Sequence, residues 1–448
     1  MEQLHIEEIV NTLEVALEEG LWEEASIIAQ ELLQHETEFA AAYNALAFIS
    51  IEADGDYLAA KGYYEQALVH EPNSATLYYN IAILCDEYLN QPEEAVTCFE
   101  KALELNETFV DAYVHLTELL MENNQGLELA LSYAKKVEIL DPEHARNLNN
   151  IGCLYMKQLK DVEAAIPYFK KALQLSDQKG LIAANLADAY VKTEAFEEAK
   201  KTYKLALNYD PSNSLVCHNF AYVLHHHFKE FDSAKTLYER AIMLNPHNIH
   251  PYLSLKNLWI QEYKEPKQGV AILEKALATL GEQVNVLLEL ADIYDINLED
   301  YDKAIYYYNR VLEHQPYHAT ALNALAYIQA SIQKNYDAAI LCYEKILEVD
   351  PINPITYVNI GHVYFLKLSD FDRALDAYEK AEALIEEHDL KVNYASELYF
   401  NMGLIYENYV SNERLAMSYY EKAVGLKGYK KAEKKLLAMY QTGLKIIH

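Results

Sequence analysis

Apolar residues fall on helical spacing in two short runs, and the pair of runs recurs along the chain. In residues 319–353, Leu322, Leu325, Ala326 and Gln329 share one face of a first helix reaching from Ala319 to about Gln333. Ala339, Tyr343 and Ile346 stand at i, i+4 and i+7, one face of a second helix. The polar turn Lys334-Asn335-Tyr336-Asp337 separates the two, with Asp337 placed to cap the second helix. Pro351 stops that helix. A single hairpin cannot bury such apolar faces alone, so it must stack on copies of itself.

The copies are visible in the sequence. A small residue that lets the two helices approach recurs as Ala60, Ala95, Ala130, Ala165, Ala199, Ala234, Gly269, Ala304, Ala339 and Ala374, 35 residues apart except for one step of 34. Four residues later comes an aromatic at Tyr64, Phe99, Phe169, Tyr203, Tyr238, Tyr308, Tyr343 and Tyr378. In the first helix a large apolar residue precedes a small one, as in Leu46-Ala47, Ile81-Ala82, Ile151-Gly152, Leu186-Ala187, Leu290-Ala291 and Ile360-Gly361. Proline closes many units, from Pro72 to Pro351.

This ladder resembles the tetratricopeptide repeat (TPR), a helix–turn–helix unit of 34 residues. The resemblance covers nearly the whole chain, about twelve repeats. The usual extra residue is placed in the turn between the helices, as in Tyr88-Leu89-Asn90-Gln91-Pro92. The implied fold is all-α: a right-handed superhelical TPR solenoid of antiparallel helix pairs with a C-terminal capping helix. Residues 1–39 read as an acidic, atypical capping pair whose second helix turns Trp22, Ala25, Ala29 and Leu32 inward. Residues 40–388 hold ten tandem units, with Pro167 inviting a kink in one second helix and Gly269 replacing the usual Ala in another. From Ala374 to Ala416 the spacing widens to 42, around Glu386-Glu387-His388-Asp389-Leu390-Lys391-Val392, which predicts a longer linker or an extended helix. Residues 389–425 are therefore a linker and last repeat. Residues 426–448 form a basic cap in which Leu436, Leu437 and Tyr440 face that repeat.

Charge narrows the partners. The net charge of −32 repels phosphate backbones and anionic lipid, which disfavours nucleic acid and favours a basic or polar protein or peptide. No Lys or Arg precedes Lys61, whereas Glu2, Glu7, Glu8, Glu14, Glu18, Glu19, Glu23, Glu24, Glu31, Glu36 and Glu38 crowd this end. Lys427, Lys430, Lys431, Lys434 and Lys435 crowd the other. Head-to-tail self-association through these ends is a weaker expectation than charged solubility caps. The five cysteines lack ligand spacing and read as reduced thiols of a cytoplasmic protein. The N-terminal sequence does not read as a signal peptide, and no apolar run reaches transmembrane length, so no membrane insertion is expected. The 38 tyrosines read mainly as repeat-core aromatics whose hydroxyls reach solvent at the helix edge.

In the family resembled, the first helix of each pair lines a concave groove. The resemblance places Asn44, Phe48, Tyr79, Glu118, Asn149, Asp188, His218, Tyr222, His225, Asn257, Asp292, Asn323, Tyr327 and His362 on that face. Asn80, Asn150, Asn185, Asn219, Asn359 and Asn401 each precede the key apolar residue, and three of them fall in consecutive repeats. A row of side-chain amides offers donor and acceptor together and can pair with a peptide backbone, or it can bond between neighbouring helices. The Lys-Asn-Asn-Lys-Arg set with which some TPR co-chaperones hold a terminal carboxylate is absent: no Lys stands two before a key residue.

His225, His226 and His227 diverge by about 100° per residue on a helix and cannot readily share one metal. No phosphate loop, nucleophile elbow or paired metal motif is present. The sequence thus predicts a non-enzymatic scaffold or adaptor, without metal or cofactor, that binds an extended peptide or partner segment in its groove. The alternative is a regulatory sensor whose groove takes a peptide or small ligand and changes a partner's activity.

Overall fold

The computed structural model describes residues 2–34, 39–123, 126–388, 390, 392–427 and 429–446. Every element among these residues is helical. The chain forms two compact units, Met1–Leu244 and Asn245–His448. The first stacks seven antiparallel helix pairs, from Glu2–Glu18 with Trp22–Leu32 to Ser214–Val223 with Phe231–Leu244. The second stacks five, from Ile249–Gln261 with Pro266–Leu280 to Ala395–Asn408 with Glu413–Lys427, and ends on the helix Lys430–Ile446. The all-α architecture of paired helices and a terminal helix is the one the repeat predicts.

Packing explains the ladder. Ala60, Ala95, Ala130, Ala165, Ala199, Ala234, Ala304, Ala339 and Ala374 are each 0% exposed, so a larger side chain would have to push the helix pair apart. At Gly269 an added Cβ would lie 3.0 Å from Ile260 Cγ1, which accounts for glycine at the alanine position. At Gly152 an added Cβ would come within 2.6 Å of the Phe169 ring, so the aromatic sits directly on the backbone of the first helix. Each buried aromatic of this kind contributes roughly 1.5–3 kcal/mol by leaving water.

The thirty-fifth residue is not confined to the turn. Seven first helices widen at their C-terminal ends into a π-helical turn, at Ser50–Asp54, Leu84–Tyr88, Tyr155–Leu159, Leu224–Phe228, Ile293–Asn297, Gln329–Gln333 and Val363–Leu368. The closing bond then spans six residues, as in Asn335 N–H to Gln329 O at 2.8 Å and Glu230 N–H to Leu224 O at 3.0 Å. The helix Lys179–Lys192 belongs to the 34-residue step. It has no such turn, and Ala195 N–H closes on Tyr190 O, five residues back, at 2.8 Å. In these seven repeats the extra residue is absorbed as a local π-bulge, whereas Val110–Glu122 and Ile249–Gln261, also on 35-residue steps, show no such turn among the described residues. The chain then leaves each first helix through one left-handed residue, among them Asn90, Lys160, Lys229, Lys334 and Ser369 with φ between 51° and 57°.

Local expectations divide. Asn335, not Asp337, caps Tyr336–Val349, accepting from Ala338 N–H at 3.3 Å; Asp337 stands in the first turn. The helix Val162–Leu175 continues through Pro167 and keeps the 14 residues of its equivalents. Ala25, Ala29 and Leu32 are fully buried with Trp22 packed beside them, as expected. Glu36 and Glu38 lie outside the described residues, while Glu8, Glu14, Glu18, Glu19, Glu23, Glu24 and Glu31 are exposed. The widened spacing near 386–392 goes partly into Phe371–Glu387, which has 17 residues; Asp389 and Lys391 lie outside the described residues. In the terminal helix Leu436 packs on the last repeat, but Leu437 is 56% exposed. Tyr440 is also exposed and donates to Glu421 Oε1 at 2.7 Å.

Tyrosine usage has two causes. Several core hydroxyls turn inward to a carboxylate of the first helix instead of reaching solvent. Tyr203 donates to Asp188, Tyr308 to Asp292 at 2.7 Å, and Tyr420 to Glu407 at 2.6 Å. A second set stacks between the helices of a pair: Tyr155 on Tyr168 and Tyr294 on Tyr307 at 5.6 Å, and Tyr406 on Tyr419 at 5.4 Å. Lys135 and Lys303 lie over these pairs.

Candidate functional site

Three successive first helices, Val110–Glu122, Ala145–Leu154 and Lys179–Lys192, bring predicted residues together in the first unit. Glu118, Asn149, Asn150 and Asn185 line a groove of about 530 Å³ with Glu122, Arg146 and Lys157. Stacking of successive first helices brings positions 31 to 36 residues apart into contact.

Four of the six ladder amides, all in the first unit, are engaged between repeats, whereas the buried Asn401 Nδ2 has no partner among the described residues. Asn80 Nδ2 donates to Asn44 Oδ1 at 3.4 Å, Asn150 to Glu118 Oε1 at 2.9 Å, Asn185 to Asn149 Oδ1 at 2.9 Å, and Asn219 to Asp188 Oδ1 at 3.3 Å. Each bond runs back to the first helix of the preceding repeat. The donors therefore brace the stack. Among the described residues the Oδ1 atoms of Asn150 and Asn185 accept no hydrogen bond, so the groove presents open amide oxygens beside Glu122, with Lys157 and the Arg146–Glu118 pair also in its lining.

Arg146, which carried no sign in the repeat pattern, and His115, which stands at the ladder position between Asn80 and Asn150, complete the network. Arg146 Nε donates to Glu118 Oε1 at 2.6 Å, and its Nη2 lies 2.5 Å from Oε2. Its Nη1 meets His115 Nε2 at 3.0 Å, and Tyr79 hydroxyl meets His115 Nδ1 at 2.9 Å. Burial, and then the Arg146 charge, hold His115 below its ordinary value and keep it neutral. Asp86 is pushed up by burial and by the charges of Glu122, Glu87 and Glu118. Asp188 is likewise raised by burial, against the Tyr203 and Asn219 hydrogen bonds that lower it. Asp292 is raised by burial while Tyr308 opposes.

The remaining predicted residues are placed as follows. Phe48 is exposed, 6.1 Å from the Trp22 ring. His218 lies 5.7 Å from the Tyr238 ring. Tyr222 is exposed against His226. His225 is 1% exposed and meets Phe231 and Tyr238 edge-on, inside the core and not on the groove wall. In the second unit Asn257 is half-buried. Asn323 donates to Ala319 O of its own helix at 3.0 Å. Tyr327, Asn359 and His362 line a separate cavity of about 210 Å³. Asn401 is buried. Among the described residues no group of three or more His, Cys, Asp or Glu is placed to hold a metal, and no helix is long and apolar enough to cross a membrane.

Sequence profiles of the tetratricopeptide repeat match residues 75–109, 156–216, 293–354 and 355–388. The chain belongs to the tetratricopeptide-repeat family. Its TPR fold supports a protein-interaction scaffold, because stacked repeats create an extended binding surface. It is similar to human Protein O-mannosyl-transferase TMTC3, 28% identical over 172 residues, 36% of this chain and 18% of that one. The mouse protein of the same name is 29% identical over 115 residues, 24% of this chain and 12% of that one. The TPR chain thus spans less than a fifth of the curated relatives it matches. Their name corrects the expectation of a non-enzymatic protein. That expectation rested on missing motifs, and the matched relatives are named as O-mannosyl-transferases. Among solved structures, one described as the functional characterization of Pseudomonas aeruginosa pilF is 22% identical, covering 48% of this chain and 96% of that one, TM-score 0.43. Human IFIT1 dimer with PPP-AAAA is 17% identical, covering 83% and 89%, TM-score 0.43.

Proposed function

We propose that this TPR chain is a scaffold that holds an extended, basic or polar partner segment along the groove between Glu118 and Asn185. The observation behind this reading is the state of the amides. Their donors are engaged within the stack, so acceptors remain, beside Glu118 and Glu122. Such a wall pairs with backbone N–H groups and with Lys or Arg side chains. The five cysteines are all free, which supports a reducing, cytoplasmic setting.

The test is fluorescence anisotropy with two labelled twelve-residue peptides on one Gly/Ser background, one lysine-rich and one glutamate-rich. The lysine-rich peptide binds the tighter, loses affinity as salt rises, and is weakened by Glu122→Lys. Equal binding of both peptides, or indifference to Glu122→Lys, overturns the assignment.

A further inference from the structure

The cavity in the second unit has the opposite character to the groove just described. Asn359 occupies the ladder position, yet its surroundings differ from those of its equivalents in the first unit. Asn80, Asn150, Asn185 and Asn219 each find an acceptor 31 to 36 residues earlier, at Asn44, Glu118, Asn149 and Asp188. For Asn359 the corresponding residues are Asn323 and Tyr327. Asn323 is turned to Ala319 O, and Tyr327 is 59% exposed. Among the described residues Asn359 makes no hydrogen bond, so its amide donor remains open.

Two further groups point the same way. His362 has a buried Nε2 without a partner, and its ring stands edge-on to Tyr378 at 5.7 Å. Burial holds the imidazole below its ordinary value and so neutral. A buried N–H without an acceptor is costly, so the proton belongs on Nδ1, the nitrogen left to face the cavity. Lys367 lines the cavity as well and makes no ion pair among the described residues. No Asp or Glu lines this wall, although the chain has 69 such residues and a net charge of −32. The nearest carboxylate that His362 senses, Glu397, stands outside the lining. Tyr327 and Leu366, 59% and 58% exposed, form an apolar rim.

We propose that this cavity docks a partner segment in which an Asp or Glu side chain stands beside a large apolar one. The carboxylate accepts from Asn359 Nδ2, the His362 N–H and Lys367 Nζ, while the apolar side chain covers Tyr327 and Leu366. The volume of about 210 Å³ is below the roughly 300–1,000 Å³ of small-molecule sites and suits a side chain of a longer segment. The chain thereby carries two docking places of opposite charge preference, and this one stands or falls independently of the groove at Glu118.

The test uses the full chain and fluorescein-labelled Gly-Ser-Glu-Phe-Glu-Ser-Gly peptide, amidated so that no terminal carboxylate contributes. Anisotropy shows saturable binding that weakens about tenfold or more with Lys367→Glu, survives Lys367→Arg, and is unchanged by Glu122→Lys. Replacing Phe by Ala in the peptide also weakens it. Circular dichroism of Lys367→Glu matches the parent, since the residue is exposed. Equal binding of a peptide with Lys in place of Glu, or full affinity in Lys367→Glu, overturns the proposal. If only a free C-terminal carboxylate restores binding, the occupant is a chain end and the side-chain assignment is wrong.

Discussion

The groove at Glu118 and the cavity at Asn359 use the same repeat position for different ends. In the first, the asparagine donor meets an acceptor on the preceding repeat and leaves its amide oxygen open beside Glu122. In the second, the preceding repeat offers Tyr327 and Asn323, and the donor stays open beside Lys367. Whether a side chain 31 to 36 positions upstream turns an acceptor toward it therefore decides whether a ladder amide braces the stack or is free for a ligand. A repeat position has no fixed role; its neighbour in the stack assigns one.

The largest effect is expected where the bracing is removed as a set. The triple substitution Asn150→Ala, Asn185→Ala and Asn219→Ala deletes three bonds between repeats, at about 1 kcal/mol each. Urea unfolding should therefore show a loss of roughly 3 kcal/mol. Asn359→Ala should cost almost nothing in the same measurement. Equal losses would erase the distinction between the two regions.

Next comes Asp188→Ala, which leaves the Tyr203 hydroxyl and Asn219 amide without their acceptor. A buried group stranded in this way costs about 1–3 kcal/mol. Asp188→Ala combined with Tyr203→Phe should recover part of that loss. No recovery in the double variant would mean that Asp188 acts otherwise.

Tyr327→Asp sharpens the comparison in the other direction. It places a carboxylate 32 residues before Asn359, as Glu118 stands before Asn150. The expected gain is about 0.5–1.5 kcal/mol in stability, with loss of binding to the acidic peptide. A variant that still binds that peptide with parental affinity would show that the open amide is irrelevant.

The two neutral histidines give a smaller, pH-dependent signature. His115 in the first unit and His362 in the second are both held below their ordinary value of 6.5 by burial, with Arg146 adding to the effect on His115. The unfolded chain then binds more protons than the folded one, so stability is present above about 6.5 and falls as pH drops below it. Denaturation at pH 7 and pH 5.5 should show a shallower loss for His115→Gln and for His362→Gln than for the parent. Slopes identical to the parent would mean that neither imidazole is coupled to folding.

The repeat, the helix pairing and the inward alanines were legible because each position recurs and period alone specifies the buried face. In some repeats the choice between Phe and Tyr follows the residue met on the first helix. Phe99 and Phe169 follow the apolar Ile83 and Cys153, while Tyr203 and Tyr308 follow Asp188 and Asp292, which their hydroxyls reach. The π-helical turns were not legible, because one inserted residue fits a turn or a helix end equally well by spacing. The cap expected at Asp337 falls to Asn335, because only the backbone decides which residue is half outside the helix. The Tyr79–His115–Arg146–Glu118 chain spans three repeats, and it sets an imidazole at the ladder position where neighbouring repeats carry asparagine, so no internal copy reveals it. His225 was expected on the groove wall from register, yet the π-helical turn at Leu224–Phe228 places it in the core.

The most direct test of opposed charge preference is a two-probe experiment on the intact chain, with the lysine-rich and Glu-Phe-Glu peptides carrying different dyes. The account predicts that both bind at once. It also predicts that Glu122→Lys weakens only the basic probe and Lys367→Glu only the acidic one. Mutual displacement of the probes, or equal weakening of both by either substitution, would contradict it.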